Sequence, residues 1–227
     1  MENLTPKQLA GMIDHTLLKA NICFDDLKTL CQEAAQYGFR SVAINGAVVP
    51  FCHRQLTGTD VLCDATVGFP LGQTSIAAKV FEARDAMENG AGEIDYVVNL
   101  AELKSGNWDY VEDEMRQIVA ACREKSAVCK VIFETCYLTD DEKRRLCEIA
   151  VRVKPDFVKT STGFGSGGAT LEDIRLMKSC VGDTVKVKAS GGIRTAGDAL
   201  AMIEAGADRI GTSAGIRIVE DYAAGIR

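Results

Sequence analysis

The segments Met87-Glu88-Asn89-Gly90-Ala91 and Ile203-Glu204-Ala205-Gly206-Ala207 read as one helix-turn-strand joint used twice. Before the first, Ile76, Val80, Ala83 and Met87 recur at helical spacing, and Asn89-Gly90 stops the helix because glycine accepts the left-handed conformation. After each joint comes a short apolar run, containing Ile94 in one case and Ile210 in the other. The same alternation extends to both ends of the chain. Candidate strands are Ile13–Leu18, Ser41–Ile44, Val61–Val67, Glu93–Val98, Lys130–Thr135, Phe157–Ser161, Lys186–Ala189 and Arg209–Thr212. Eight short strands separated by helical patterns predict repeated βα units and a parallel sheet. Its closure would give a TIM (β/α)8 barrel, a single catalytic domain over residues 1–227.

The 227 residues suit one such barrel and are few for two domains with full cores. With 47% hydrophobic residues there is material for a sizeable core. A formal net charge of -6 gives no electrostatic reason to expect nucleic acid or an anionic membrane as partner. Residues 1–10 lack the basic and apolar regions of a signal peptide, and no apolar run approaches the length of about 20 residues that spans a bilayer, so a cytoplasmic location is expected. The nine cysteines are scattered, odd in number and never in a Cys-x-x-Cys pair, which suits small buried hydrophobes better than disulfides. With only His15 and His53 as imidazole ligands and no His/Cys cluster, neither a metal nor another cofactor is expected.

Any phosphate must then be held locally. The strongest glycine cluster, Ser161-Thr162-Gly163-Phe164-Gly165-Ser166-Gly167-Gly168, follows a strand and precedes the helix that Leu171 begins. Ser190-Gly191-Gly192 and Gly211-Thr212-Ser213-Ala214-Gly215 read as turns after the next two strands. Any one of these could be only a tight turn. Three in succession at the carboxyl ends of the last strands suit an anion held by backbone amides and a helix N-terminus.

A lysine in the middle of an apolar strand calls for explanation, and Phe157-Val158-Lys159-Thr160-Ser161 holds one. An edge strand would let it face solvent, but a closed barrel has no edges. Val185-Lys186-Val187-Lys188-Ala189 alternates strictly, so if its valines meet the helices, both lysines point inward. Lys188 then lies level with the loops, and Lys186 a dipeptide lower, solvated or structural at the opposite mouth. A second ammonium is what a nucleophilic lysine requires, because free lysine is almost wholly protonated at pH 7. A like charge about 5 Å away, at an effective dielectric of about 20, disfavours protonation by roughly 3 kcal/mol, and burial acts in the same direction. Asp95, opposite Ile94 and Tyr96, should also project inward, either to relay protons or only to fix the strand as an ion pair. Asp14 could hold substrate hydroxyls, orient a lysine, or face solvent. His15 and His53 suit ordinary partly buried positions better than general bases. Glu134 could be a polar residue of the barrel interior, with no role assigned.

Five segments, Ile13-Asp14-His15-Thr16-Leu17-Leu18-Lys19, Val67-Gly68-Phe69-Pro70-Leu71-Gly72, Glu93-Ile94-Asp95-Tyr96-Val97-Val98-Asn99, Lys159-Thr160-Ser161-Thr162-Gly163-Phe164 and Lys188-Ala189-Ser190-Gly191-Gly192-Ile193-Arg194, together resemble the deoxyribose-phosphate aldolase family. The resemblance spans nearly the whole chain. It implies a class I, Schiff-base aldolase reversibly cleaving 2-deoxy-D-ribose 5-phosphate to D-glyceraldehyde 3-phosphate and acetaldehyde, in deoxynucleoside catabolism. It further implies Lys159 as the Schiff-base lysine, Lys188 as the lysine that perturbs it and Asp95 as the acid working with Lys188. Gly163, Gly191, Gly192, Gly211 and Ser213 fall on the family's phosphate-binding turns. Partners would be small sugar phosphates and aldehydes, and the assembly a homo-oligomer. The chain departs from the pattern at Ala43, where many relatives carry a cysteine, and at Ala214, where some place a second phosphate-binding serine. A transaldolase-like lyase and a sugar-phosphate sensor without turnover are the competing readings. The second lysine argues against the former, and the set Lys159, Lys188 and Asp95 against the latter.

Overall fold

The computed structural model describes residues 4–226. Eight strands, β1 (Ile13–Thr16), β2 (Ser41–Asn45), β3 (Leu62–Val67), β4 (Ala91–Val97), β5 (Val128–Ile132), β6 (Phe157–Lys159), β7 (Lys186–Ser190) and β8 (Arg209–Thr212), pair in parallel in chain order. β8 closes on β1 through Ile13 opposite Ile210. The expected (β/α)8 barrel is the observed fold. Its helices are α1 (Pro6–Ala10), α2 (Phe24–Tyr37), α3 (Val49–Gln55), α4 (Ile76–Glu88), α5 (Leu100–Lys104), α6 (Trp108–Glu124), α7 (Asp140–Val153), α8 (Leu171–Val181), α9 (Ala196–Glu204) and α10 (Gly215–Ala223).

Local sequence sets these boundaries. Thr139 and Glu142 cap each other's backbone amides at the start of α7, and Thr195 with Asp198 does the same for α9. The repeated joint behaves alike in both copies: Gly90 and Gly206 lie at φ +109° and +116°, where a side chain would be strained. A Cβ on Gly90 would also stand 2.4 Å from the His53 ring.

Outward-facing strand residues such as Val42, Ile44, Ala65, Ile94, Tyr96, Val131, Val158 and Ile210 are buried against the helices. Lys79 is buried with them. On α4 the residues most fully covered are Lys79, Ala83, Ala86 and Met87, so the inner face is rotated from the Ile76/Val80 stripe that spacing suggested. Lys79 Nζ donates to Val97 O (2.7 Å) and to Glu114 Oε1 (2.6 Å), while Glu114 Oε2 accepts from Asn99 N (2.9 Å). This ion pair ties α4 and α6 to the carboxyl end of β4. Of the nine cysteines, six are buried and all nine are free. Among the described residues no helix is long and apolar enough to cross a membrane.

Candidate active site

The barrel interior holds a cluster of charged residues. Parallel register puts Asp64 beside Glu93, Asp95 beside Lys130, Lys159 beside Lys188, and Lys188 beside Arg209. Paired residues share a face, so each of these side chains projects inward. Four cations (Lys130, Lys159, Lys188, Arg209) meet four anions (Asp14, Asp64, Glu93, Asp95), all of them buried.

The cations are not shared evenly. Lys130 Nζ contacts Asp64 Oδ2 (2.9 Å), Glu93 Oε2 (2.6 Å) and Asp95 Oδ1 (2.7 Å). Lys188 Nζ contacts Asp14 Oδ2 (2.5 Å), Asp64 Oδ2 (2.9 Å) and Asp95 Oδ2 (2.7 Å). Arg209 lies against Asp14 (2.6 Å) and Glu93 (3.1 Å). Lys159 Nζ has one carboxylate contact, Asp95 Oδ2 at 2.7 Å, and that oxygen is also held by Lys188.

This asymmetry sets the acidities. Burial dominates at Lys159; it and the nearby charge of Lys188 outweigh the pull of Asp95, so the ammonium is held below the usual lysine range. Burial acts the same way on Lys188, but Asp14, Asp64 and Asp95 overcome it and raise its pKa. Asp95, despite burial, is held well below the carboxylate range by Lys130, Lys159 and Lys188. Asp64 is the opposite case. Burial and the neighbouring Asp95 push it up to about 7, more than Lys130 and Lys188 pull it down.

Above this cluster opens a cleft of about 280 Å³ at the carboxyl face of the barrel. Lys159 lines it, together with Gly163, Gly191, Gly192, Gly211 and Ser213. Gly163, Gly191 and Gly192 have φ of +87°, +85° and +83°. Gly191 lies so close to Gly168 that a Cβ on it would stand 2.9 Å from the Gly168 Cα. The three expected loops therefore meet over one lysine.

Gly211 lies within β8, inside the strand expected at Arg209–Thr212, and also lines the cleft; a Cβ there would come within 3.2 Å of Lys188 Cε, so the glycine gives the lysine its passage, and the turn itself starts at Ser213. Asp14 does not line the cleft. It is fully buried, accepting from Ser41 Oγ (2.7 Å) and Arg209 Nη1 (2.6 Å) while pairing with Lys188, which places it beside that lysine. Lys186 is exposed at the opposite mouth, its Nζ 5.6 Å from the centre of the Phe157 ring. Glu134, unassigned from sequence, accepts from the backbone N (3.1 Å) and hydroxyl of Thr162 and so shapes the first glycine loop. His15 pairs with Glu33 on α2 (2.9 Å), away from Lys159.

Sequence reasoning passed over Asp64, Lys130, Glu93 and Arg209. The signal was available, since Lys130 and Asp64 are charges within apolar strands, as Lys159 is. The oxygens of Asp14, Asp64 and Glu93 lie within 4.8 Å of one another, close enough to share an ion, but each residue is already engaged by Lys130, Lys188 or Arg209. Cationic side chains stand where an ion would have to.

A sequence profile of the DeoC/LacD family aldolases matches residues 9–220. The chain belongs to the DeoC/LacD family of aldolases. It is 57% identical over 216 residues to the deoxyribose-phosphate aldolase of Lactobacillus acidophilus, covering 95% of this chain and 91% of that one. To the enzyme of the same name from Thermococcus gammatolerans it is 53% identical, with 93% and 95% covered. The structure of the deoxyribose phosphate aldolase from Aeropyrum pernix, described as tetrameric, superposes with a TM-score of 0.91 at 34% identity, covering 98% of this aldolase and 94% of that chain.

Proposed function

We propose that this aldolase reversibly cleaves 2-deoxy-D-ribose 5-phosphate to D-glyceraldehyde 3-phosphate and acetaldehyde through a Schiff base on Lys159, in cytoplasmic deoxynucleoside breakdown. The observation that carries the reading is the unequal partnering of the lysines. Lys159 alone both lines the cleft and rests on a single, shared carboxylate oxygen. It is therefore the ammonium most readily converted to a nucleophilic amine.

The amine attacks the sugar carbonyl, and loss of water leaves a protonated imine that withdraws electrons from the breaking carbon-carbon bond. Asp95 and Lys188, hydrogen-bonded at 2.7 Å beside Lys159, form the proton relay. It removes the hydroxyl proton during cleavage and returns one to the enamine carbon. The phosphate rests on the turns at Gly163, Gly191, Gly192 and Ser213, next to the N-terminus of α10, where backbone amides compensate its charge. A homo-oligomer formed through the outer helices is in keeping with the tetrameric relative.

The test is peptide mass spectrometry after incubation with deoxyribose 5-phosphate and sodium borohydride, beside Lys159→Leu. A reduced adduct on Lys159 that the variant lacks is the expected result. Folded wild-type protein without an adduct would overturn the proposal and favour a sugar-phosphate-binding role.

A further inference from the structure

The mechanism above needs Lys159 as a free amine, and the barrel interior makes that demanding. Four buried cations balance four buried anions. Removing the proton of Lys159 to solvent would leave one uncompensated negative charge in a water-poor cluster. One of the carboxylates must take up a proton if the amine is to persist. Asp95 and Asp14 are poor candidates, because each sits against cations that favour its ionised form.

Asp64 differs in its surroundings. Its Oδ2 takes both Lys130 and Lys188 at 2.9 Å, longer than the 2.5–2.7 Å contacts these lysines make elsewhere in the cluster. Its Oδ1 is buried without a hydrogen-bond partner among the described residues. It shares Lys130 and Lys188 with Asp95, which keeps the two carboxylates close together. Ionised, it is a buried carboxylate with one oxygen unsatisfied and a second anion at its side; protonated, it is relieved of both.

We propose that Asp64 is a positioning residue that stores the proton Lys159 gives up, and returns it when the carbinolamine is dehydrated. This rests on the Schiff-base reading of Lys159. The transfer balances along the observed contacts. Lys188 Nζ gives a proton to Asp64 Oδ2 and, left with a lone pair, takes up through Asp95 Oδ2 the proton that Lys159 Nζ gives up. The net change is one proton from Lys159 to Asp64, with Asp95 and Lys188 unaltered and the cluster neutral throughout. After the amine adds to the carbonyl, the stored proton runs back to the carbinolamine hydroxyl. That group leaves as water, and the protonated imine restores the positive charge at Lys159. The carboxyl's acidity, near neutrality, suits both directions of transfer. The groups facing Asp64 are Asp14 from β1, Glu93 and Asp95 from β4, Lys130 from β5, Lys159 from β6, Lys188 from β7 and Arg209 from β8. β2 contributes only the uncharged Ser41 and Ala43.

The test compares wild type with Asp64→Asn and Asp64→Glu, measuring the rate of imine trapping by borohydride and the kcat and KM for deoxyribose 5-phosphate across pH 5 to 9. Loss of the proton store is expected to slow trapping and kcat about tenfold or more near neutral pH and remove an inflection there. KM should stay within about twofold, and Asp64→Glu should recover a good part of the rate. An Asn variant with wild-type rate and pH profile would overturn the proposal. Carboxyl-carbon NMR of wild-type protein labelled at aspartate decides the matter even if the variants fail to fold: one buried aspartate titrating near neutrality is expected, and none would overturn the inference. Failure of wild-type protein to form any adduct on Lys159 would instead count against the aldolase reading.

Discussion

Replacing Lys188 with leucine separates the two services the structure assigns to this side chain. Its Nζ is in contact with Asp14, Asp64 and Asp95 at 2.5, 2.9 and 2.7 Å, so its loss weakens three buried carboxylates at once. Removing one partner of a buried ion pair costs about 3–5 kcal/mol, within the 5–15 kcal/mol typical of whole domains. The fold survives, because Asp95 keeps Lys130 and Lys159, Asp14 keeps Arg209, and protonation of Asp64 rebalances the cluster. Lys159 fares worse. It gains sole claim on Asp95 Oδ2 and loses the ammonium that opposed its own. Across about 5 Å at an effective dielectric of about 20, that repulsion is worth roughly 3 kcal/mol, which makes the amine about a hundredfold scarcer at neutral pH. The assay is borohydride trapping on Lys159 over a pH series, with circular dichroism to verify folding. Trapping should drop about a hundredfold at pH 7 and recover as pH rises, because alkali supplies the amine that Lys188 no longer does. A folded variant that traps at the wild-type rate with unchanged pH dependence would refute the reasoning. So would a loss that alkali leaves untouched, since Lys188 would then act only in proton transfer.

Two further outcomes follow from the same geometry. Asp14 and Asp95 are depressed in the folded protein, so the stability they contribute is present above the unfolded value near 4 and is lost as pH falls below it; Asp64 is raised to about 7, so its contribution is present below pH 4 and lost as pH rises through 7. Urea unfolding should therefore show greatest stability near pH 4 and a decline from there towards pH 7, and Asp64→Asn, near wild type at pH 4, should gain on it as pH rises and exceed it above pH 7 by on the order of a few kcal/mol; a pH-independent difference would contradict the assignment. Gly191→Ala puts a Cβ 2.9 Å from Gly168 at φ +85°, so the turn must shift. KM for deoxyribose 5-phosphate should rise about tenfold or more while trapping of unphosphorylated acetaldehyde on Lys159 stays near wild type, and equal loss for both substrates would dissociate this turn from the phosphate.

Strand alternation carried the reading of the fold and of Lys159, Lys188 and Asp95, because a charge in an apolar strand of a closed barrel has only one face to occupy. Alternation says which way a side chain points but not what meets it across the barrel. Lys188 and Asp64 are 124 positions apart in the chain and touch only because β3 and β7 face each other in the closed sheet. That juxtaposition depends on strand count, register and tilt together, so the sequence shows Asp64 only as a charge within an apolar strand and not which lysines meet it. Gly211 makes a related point: small residues usually mark turns, but β8 carries this glycine because Lys188 passes it from the adjacent strand. On α4, periodicity identified the helix but not its buried lysine, since the partner that makes Lys79 tolerable, Glu114, comes from α6.

The site's chemistry then follows from how unevenly a balanced set of charges is distributed. A barrel holding one lysine and one carboxylate would bury an ion pair with no nucleophile, because the partner that makes burial tolerable also keeps the ammonium protonated. A lysine with no carboxylate would meet the full desolvation penalty and leave the amine without a proton acceptor. Four cations against four anions permits an intermediate case: Lys130 and Lys188 each take three carboxylates, and Lys159 is left a share in one oxygen of Asp95. The cations that remain charged hold Asp95 ionised, and Asp95 in turn keeps Lys159 in place without fully committing it to the ammonium form. On this argument, removing any anion of the cluster should alter Lys159 reactivity even where that anion never meets the substrate, whereas the exposed Lys186, on the same strand as Lys188, can be replaced without effect.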